Sequence, residues 1–416
     1  MLNTTCCIAG GGPAGLMLGF LLARAGVDTI VLEKHADFLR DFRGDTIHPS
    51  TMAVIHELGL LDEFLQLPHE PVRSLTAQFG KARIKLADFS GVRTPAPFIA
   101  MMPQWDFLNF LARHAAAYST FRLLMETEAV DLITDGTRTV GVRTRTHGEA
   151  GEIRADLVIA ADGRGSTLRA RAGLTPMQFG APMDVLWFRL TRQAGDTKET
   201  QGRFDAGRIF IMLNRGDYWQ CAFVIPKGAN DRVRIAGLEA FRASLRPLLP
   251  VPADRADEIQ DWEPVKLLTV QVDRLERWWK PGFLCIGDAA HAMSPVGGVG
   301  VNLAVQDAVA AANVLATPLR EKTQRDDHLA AIEKRRQWPT RVTQRLQLII
   351  QNSIIAPALA ERGELKPPLA LRLITSIPGL SSVPARLIGL GVRPEHLGVE
   401  MQRPFGAAVT NAGRVA

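Results

Sequence analysis

The turn GGGPAG, residues 10–15, follows a short apolar run and opens a helical one near the start of the chain. Residues 5–9 predict a buried strand, residues 14–25 have helical spacing, and residues 28–33 predict a second buried strand. This order of strand, turn, helix and strand forms a βαβ unit, which is normally parallel and right-handed. The chain is therefore predicted to have an α/β fold built on a parallel sheet.

The residues of this turn each have a predicted task. Gly10 permits a tight turn, Gly12 lets the backbone approach a pyrophosphate, and Gly15 lets the helix pack closely on the strand. Pro13 suits the first helical turn, where its missing N–H needs no intrahelical partner, and Ala14 completes the motif. The positive end of the helix then faces the phosphates.

An acidic residue closes the second predicted strand. Glu33 comes 18 residues after Gly15 and is placed to accept hydrogen bonds from ribose hydroxyls, while disfavouring a 2′-phosphate. We include the adjacent Lys34 among the cofactor-binding residues. The turn and the acid together predict an adenine-dinucleotide site, and the alternative is a glycine turn with an incidental acid.

Two later segments repeat the design of a strand that ends in a polar, glycine-containing turn. The first runs from Asp162-Gly163 to Arg169 after the apolar residues 156–161. The second begins at Gly287-Asp288 after residues 283–286 and continues through the glycine-rich residues 295–302 into a helix predicted from about 302 to 316. Turns of this kind offer carboxylate acceptors and exposed backbone donors.

These three segments, in this order, resemble those of the single-component, FAD-dependent aromatic hydroxylases, the class A monooxygenases similar to para-hydroxybenzoate hydroxylase. The resemblance covers residues 5 to 320. It implies that the first turn and Glu33 bind the ADP half of FAD, and that the Asp162 segment serves both the FAD pyrophosphate and NAD(P)H. It also implies that Asp288 meets the ribityl and pyrophosphate region and that residues 298–302 lie against the isoalloxazine ring. The cofactor-binding residues that it implies in these later segments are Asp162, Gly163, Arg169, Gly287, Asp288, Pro295, Gly298, Gly300, Val301 and Asn302.

Two further residues are assigned by the same resemblance. Arg43 resembles the arginine that touches the cofactor near its hinge, and Gln104, which opens a helix predicted over residues 105–117, resembles a glutamine on the flavin side. The chain departs from the family at Val299, where some members carry a lysine. It also has only Tyr118 and Tyr218, so the paired-tyrosine relay of para-hydroxybenzoate hydroxylase has no counterpart.

The activity that the resemblance implies is hydroxylation of a small aromatic or other electron-rich substrate. NAD(P)H reduces FAD, O₂ forms a flavin C4a-hydroperoxide, and this transfers an oxygen atom to the substrate. Two alternatives stay open: a flavin-dependent reductase or dehydrogenase, similar to prenyl reductases, that inserts no oxygen, and an FAD-binding scaffold that catalyses nothing. Neither His48 nor His291 is assigned as a general base, and the catalytic residue is unknown.

The predicted fold is a Rossmann-type FAD-binding domain with a parallel sheet, of the kind found in glutathione reductase, into which a mixed or antiparallel substrate sheet is inserted. The discontinuous FAD domain takes residues 1–70, 104–180 and 275–320, and the substrate domain takes residues 71–103 and 181–274. A helical C-terminal segment covers residues 321–416. Trp187, Phe210, Met212, Trp219 and Phe223 fall in the substrate sheet, where core packing explains most of them and two line a pocket.

Composition limits the remaining possibilities. The 416 residues suit two or three domains, and four scattered cysteines form neither a disulfide framework nor a metal site, which favours a reduced, cytoplasmic setting. The apolar residues 6–23 lack a preceding basic residue, so they are not interpreted as a signal peptide or a membrane span. No metal is expected.

The net charge of +6 is concentrated at the C-terminal end, where residues 331–416 contain 12 Lys and Arg against 5 Asp and Glu. With Trp338 and Phe405 as the only aromatics there, stacking on nucleic acid bases is not expected. The basic and apolar mixture fits peripheral contact with an anionic membrane, and the alternatives are a solvated helical face, an internal buttress or a homodimer face.

Overall fold

The computed structural model describes residues 2–39, 46–197, 199–205, 207–361, 367, 382–403 and 405. Its strands are β1 (Leu2–Ala9), β2 (Thr29–Leu32), β3 (Thr46–Ile47), β4 (Glu70–Val72), β5 (Ser74–Phe79), β6 (Ala82–Asp88), β7 (Ile99–Met101), β8 (Phe121–Leu124), β9 (Thr127–Asp135), β10 (Arg138–Thr146), β11 (Glu149–Ala160), β12 (Met177–Gln178), β13 (Met183–Thr191), β14 (Gln201–Asp205), β15 (Arg208–Asn214), β16 (Tyr218–Pro226), β17 (Lys266–Leu268), β18 (Asp273–Arg274), β19 (Trp279–Lys280), β20 (Phe283–Cys285) and β21 (His291–Ala292).

The α-helices are α1 (Pro13–Arg24), α2 (Pro49–Glu57), α3 (Leu61–Phe64), α4 (Gln104–Ala115), α5 (Thr167–Arg171), α6 (Asn230–Ile235), α7 (Leu238–Leu245), α8 (Gly300–Arg320), α9 (Asp326–Ile350), α10 (Ala356–Ala360), α11 (Ser382–Gly389) and α12 (Val399–Gln402). A π-helix, Gln351–Ile355, joins α9 to α10.

The central sheet has eight strands, with the order β19-β20-β11-β1-β2-β8 and the antiparallel pair β9 and β10 beside β11. The pairs β1–β11, β1–β2, β11–β20 and β2–β8 are parallel. All four residues of β2 are buried, as are the last four of both β1 and β11. This is the pattern of parallel strands covered on both faces, and it confirms the predicted α/β class.

The second sheet has seven strands in the order β17-β13-β16-β15-β14-β5-β6. It is antiparallel except where β14 runs parallel to β5, which makes it the mixed sheet that was predicted. Strands of this sheet come from residues 74–88 and 183–268, whereas those of the central sheet come from residues 2–32, 121–160 and 279–285. These origins follow the predicted domain boundaries, and the division into domains stays a prediction.

The helices after residue 320 form the described part of the C-terminal segment. Arg24 on α1 donates to the backbone carbonyls of Met401 and Gln402, at distances of 3.1 and 2.7 Å. On α8, Asn313 donates to the carbonyl of His396 and accepts from the amide of Gly398. The segment therefore packs against the central domain at residues far away in the sequence.

Candidate active site

The three predicted turns and Glu33 lie at one edge of the central sheet. The first turn follows β1, Glu33 follows β2, Asp162 follows β11, and Gly287 follows β20. These four strands are neighbours and run parallel, so their carboxyl ends meet at the same edge. In open parallel sheets, ligands bind in the crevice outside these ends.

The glycines at the two ends of the first turn are fixed by close contacts with the backbone. Gly10 has a φ of +109°, and a Cβ added there would lie 2.3 Å from the carbonyl oxygen of Ala161. A Cβ on Gly15 would lie only 1.9 Å from the carbonyl oxygen of Gly10. Both positions therefore exclude any larger residue without movement of the backbone, because real Cβ atoms do not approach that closely.

The middle of the same turn is open. A Cβ on Gly12 would meet nothing within 4 Å, so the space above this residue is not filled by the described protein. Gly12 is the N-cap of α1, Pro13 is its first residue, and no described side chain caps the helix or places an acid in its first turn. The positive end of α1 thus faces an open space, which is what an anionic phosphate requires.

Glu33 joins the end of β2 to the first turn. It is buried, accepts a hydrogen bond from the amide of Gly11 at 3.2 Å, and accepts another from the amide of His35 at 3.0 Å. These bonds fix the carboxylate beside the turn. The adjacent Lys34 is exposed.

The Asp162 turn is held by its own side chains. Asp162 accepts hydrogen bonds from the hydroxyl of Ser166 and from the amide of Leu168. Burial raises the pKa of Asp162, although these hydrogen bonds oppose the shift. Gly163 has a φ of +85°, and a Cβ there would meet nothing within 4 Å, so this turn also borders open space.

Arg169 connects the second turn to the third. Its guanidinium donates to the carbonyl oxygen of Ala289 at 2.9 Å and to that of Arg164 at 2.6 Å. Arg164 in turn places its Nε atom 3.1 Å from Asp288 Oδ2. The two turns therefore form one wall of the crevice, and it carries the Asp288 carboxylate, which is one-third exposed.

The third turn sits between two helices. A Cβ on Gly287 would lie 3.1 Å from the Cβ of Ala14 on α1 and 3.3 Å from that of Ala304 on α8. The amide of Gly287 donates to Asp307 Oδ2 at 3.0 Å. The packing of α1 and α8 on Gly287 thus sets the position of the next residue, Asp288.

The glycine-rich residues 295–299 lead into α8. Gly298 has a φ of +64°, and its carbonyl accepts a hydrogen bond from the hydroxyl of Thr46 at 2.9 Å. Asn302 Oδ1 accepts from the amide of His48 at 3.0 Å and from the hydroxyl of Thr51 at 2.7 Å. The amide side chain of Asn302 is therefore committed to the protein and ties α8 to α2.

The start of α8 has no described capping side chain and no acid in its first turn. It begins at Gly300, Val301 is buried, and Pro295 on the approach is half-buried. Two uncapped helix starts, an open space over Gly12 and Gly163, and a partly exposed carboxylate surround one crevice. A nucleotide with a pyrophosphate and polyol hydroxyls fits this set of donors and acceptors.

Comparison with known proteins decides the family. Residues 3–346 match the family described as FAD binding domain. This chain is a member of that FAD-binding family. It is 30% identical to 6-methylpretetramide 4-monooxygenase of Streptomyces rimosus over 92% of each protein. It is 28% identical to rifampicin monooxygenase of Streptomyces venezuelae, over 72% of this chain and 61% of that protein.

The solved structures agree on the fold of this FAD-binding family member. The p-nitrophenol 4-monooxygenase of Pseudomonas putida superposes with a TM-score of 0.74 at 19% identity, over 94% of this chain and all of that one. The likeness to class A flavoprotein monooxygenases is confirmed, and with it an enzyme that takes FAD as cofactor and NAD(P)H as reductant.

Two assigned residues of this flavoprotein, Gln104 and Arg43, are not part of the three turns. Gln104 is the first residue of α4 and is half-buried. Arg43 falls outside the described residues. The roles given above to each of the other site residues stay predictions, because the structure shows their positions and contacts only.

His48 and His291, the two histidines considered above as general bases, are both buried. His48 Nδ1 lies 2.8 Å from the carbonyl oxygen of Ile388 and is therefore the protonated nitrogen of the neutral ring, and burial lowers its pKa to about 4. His291 Nε2 lies 2.6 Å from Asp307 Oδ2. The contact with Asp307 gives His291 a structural partner, in keeping with its not being assigned as a base.

The inserted sheet presents two different faces. Phe210, Met212, Trp219 and Phe223 belong to a core between the sheet and α7. Of the five aromatic and methionine residues that were predicted there, only Trp187 lies on the opposite face, which packs on Val296 of the glycine-rich residues. Alternation along a strand identifies two faces, but it does not tell which one a helix covers.

Sequence reasoning missed the residues that hold the turns together. Asp307 and Arg336 carry no motif, although both are buried and charged. Thr46 and Thr51 were also missed, since single hydroxyl residues give no periodic signal. Among the described residues, one helical stretch, Val296–Arg320, is long and apolar enough to cross a membrane, but 83% of its apolar window is buried in the protein.

Proposed function

We propose that this flavoprotein hydroxylates a planar, polycyclic phenolic substrate, using FAD, NAD(P)H and O₂. The observation that carries the proposal is the match with 6-methylpretetramide 4-monooxygenase, which extends over 92% of both chains. A match of that extent includes the inserted sheet as well as the cofactor domain. The apolar character of the sheet face that packs on Val296 supports the same conclusion.

The sheet face beside Val296 is apolar. Its residues alternate with those of the helix-covered core along β13, β15 and β16, and they are Met183, Val185, Trp187, Ile209, Ile211, Ala222 and Val224. The π-helix and α10 close the same side through Ile355 and Ala358. Such a wall suits the flat, apolar surface of fused aromatic rings and excludes water from it.

We assign the cofactor to the crevice at the carboxyl edge of the central sheet. Gly12 and the start of α1 would receive the pyrophosphate, and Glu33 would receive hydroxyls of the adenosine ribose. Asp288 would accept hydroxyls of the ribityl chain, and the start of α8 at Gly300 would face the ring system, where its positive end favours negative charge. When bound, FAD supplies electron transfer from NAD(P)H and the activation of O₂.

The decisive experiment is turnover under ¹⁸O₂ with a panel of phenolic polycycles and simple phenols. A monooxygenase places one labelled oxygen atom in the product and reduces the other to water at the expense of one NAD(P)H. Mass spectrometry of the product then gives an increase of two mass units over the product formed in ¹⁶O₂. NAD(P)H oxidation with reduced, unlabelled product under anaerobic conditions would instead identify the reductase.

We also propose a membrane contact or a homodimer, and a cytoplasmic location. The outward face of α9 exposes Trp338, Ile349 and Ile350 beside Arg341 and Arg345. This mixture of apolar and cationic groups suits an anionic membrane surface that stores a lipophilic substrate, and a homodimer would cover the same side chains. All four cysteines are buried free thiols, which supports a reduced, cytoplasmic location.

A further inference from the structure

A buried acid on α8 holds the turn that carries Asp288. Asp307 Oδ2 accepts hydrogen bonds from the amide of Gly287 at 3.0 Å and from His291 Nε2 at 2.6 Å. Its other oxygen, Oδ1, accepts from Arg336 Nε at 2.9 Å. Asp307 therefore bonds to three separate parts of the chain, one of which is the backbone directly before Asp288.

The chain of charges continues away from the crevice. Arg336 on α9 also donates to Glu395 Oε1 at 3.2 Å and to the carbonyl oxygen of Arg393 at 3.3 Å. The side chains of Asp307, Arg336 and Glu395 are at most 1% exposed. Only Arg335, the second partner of Glu395, reaches solvent.

Acidic and basic side chains alternate along this network. Burial alone raises the pKa of Asp307, but His291 and Arg336 outweigh this, and the pKa lies below its usual range. A buried Asp307 carboxylate that lost Arg336 would lose one of the two partners that stabilise its charge, and its hydrogen bond to the amide of Gly287 would be free to rearrange. The geometry of the Asp288 turn thus depends on a residue of α9.

We propose that Arg336 is a positioning residue for the cofactor site: through Asp307 it fixes the Gly287 amide and hence the Asp288 carboxylate, and Glu395 fixes Arg336. The C-terminal helical segment then contributes to the cofactor site through Arg336 on α9. The proposal rests on the assignment of FAD to this crevice. It does not depend on which substrate is hydroxylated.

The test compares two adjacent arginines that share Glu395. In Arg336→Met the bond to Asp307 is lost, whereas Arg335→Met removes only the solvent-exposed partner of Glu395. We expect Arg336→Met to raise the dissociation constant of FAD by about tenfold, which corresponds to ~1.4 kcal/mol. The visible circular dichroism of the bound flavin should change as well. Arg335→Met should leave the dissociation constant within about twofold of the parent value.

A double variant guards against a folding defect. Arg336→Met combined with Glu395→Gln removes one positive and one negative charge, so the net charge of the buried cluster is kept while the bond to Asp307 is still broken. Parent-like FAD affinity and circular dichroism in this double variant, even with a lower melting temperature, would overturn the proposal. Equal weakening of FAD binding by Arg335→Met would overturn it too. FAD titration needs no turnover, so an inactive parent enzyme would count against the proposed function alone.

Discussion

Arg164 and Asp288 form an ion pair, 3.1 Å between Nε and Oδ2, that joins the turn after β11 to the turn after β20. Each side chain is one-third exposed, so solvent screens the pair and its contribution to folding is small, ~0–1 kcal/mol. Its importance lies in the crevice, where it fixes the direction of a carboxylate that two turns share.

Asp288→Asn should therefore separate cofactor binding from stability. The amide loses the negative charge that would accept ribityl hydroxyls, and hydrogen bonds to charged groups are worth about 1.5–3 kcal/mol. We expect FAD binding to weaken by at least about tenfold, while the free energy of unfolding changes by less than about 1 kcal/mol. Quenching of FAD fluorescence measures the first quantity and urea denaturation the second.

Asp326→Asn provides the control, since Asp326 forms a similarly exposed pair with Arg138 away from the crevice. It should leave FAD affinity unchanged. Equal losses of FAD affinity in Asp288→Asn and Asp326→Asn would contradict the assigned role of Asp288.

Two substitutions in the first turn should affect different properties of the protein, one the binding of FAD and the other the stability of the fold. Gly12→Ala adds a Cβ that meets no protein atom within 4 Å, so stability should change by no more than about 0.5 kcal/mol. The methyl group occupies the space given to the pyrophosphate, so FAD should dissociate. Gly15→Ala forces α1 away from Gly10 and should cost roughly 1–3 kcal/mol of stability.

Thermal unfolding with and without added FAD distinguishes these two variants. FAD should raise the melting temperature of the parent protein but not that of Gly12→Ala. Stabilisation of Gly12→Ala by FAD to the parental extent would refute the placement of the pyrophosphate.

Acid should destabilise the protein through His48. Its pKa is about 4 in the folded protein against 6.5 for an ordinary histidine. Above pH 6.5, His48 is neutral in both the folded and the unfolded protein. Between pH 6.5 and pH 4, only the unfolded chain binds a proton at this residue. The free energy of unfolding therefore falls with falling pH by about 1.4 kcal/mol per unit, or roughly 3 kcal/mol in total.

His48→Asn keeps a donor near the carbonyl of Ile388 but cannot titrate. Urea denaturation of both proteins at pH 7 and pH 5 should show a smaller loss of stability in the variant, by roughly 2 kcal/mol. Parallel pH dependences in the two proteins would mean that His48 is not buried as a neutral ring.

Neighbouring residues on β15 offer a test of the substrate wall. Ile211 lies on the face toward Val296, and Phe210 lies in the core beneath α7. Ile211→Ala should change the ratio of kcat/KM between a tetracyclic and a monocyclic phenol by about tenfold or more, because a missing apolar contact costs roughly 1–3 kcal/mol. Phe210→Leu should lower stability by up to about 1.5 kcal/mol and leave that ratio intact.

Vesicle binding tests the outward face of α9. Trp338 is 54% exposed, so its fluorescence should shift to the blue on anionic vesicles and stay unchanged on neutral ones. Arg341→Gln with Arg345→Gln should abolish the shift, since each basic residue near an anionic surface contributes about 1 kcal/mol. If the molecular mass in solution equals that of two chains and no vesicles are bound, the homodimer is favoured.

The turns were predictable because each one follows an apolar strand directly and was matched in the same order along the chain. Gly10 and Gly15 permit contacts that exclude a Cβ, and Asp162 and Asp288 each follow a run of buried strand residues. These local predictions hold in the folded protein, because the strands before the turns are parallel and their carboxyl ends therefore meet at one edge of the sheet.

The interactions between distant residues could not be read in the same way. Arg336 and Asp307 are 29 positions apart and belong to different helices, and neither spacing nor composition marks them as partners. Likewise, the pattern of β15 separates Phe210 from Ile211, but the choice of face depends on where α7 packs. Long-range packing decides both outcomes.

The alternation of the inserted sheet allows catalysis and folding to diversify separately. Side chains that face the Val296 turn can change in size from one descendant to another while their neighbours keep the core with α7 intact. Under the proposed assignment of this face to the substrate, single replacements on one side of a strand would change which aromatic compound is bound. The same alternation tells an engineer which positions of a strand leave the core with α7 untouched.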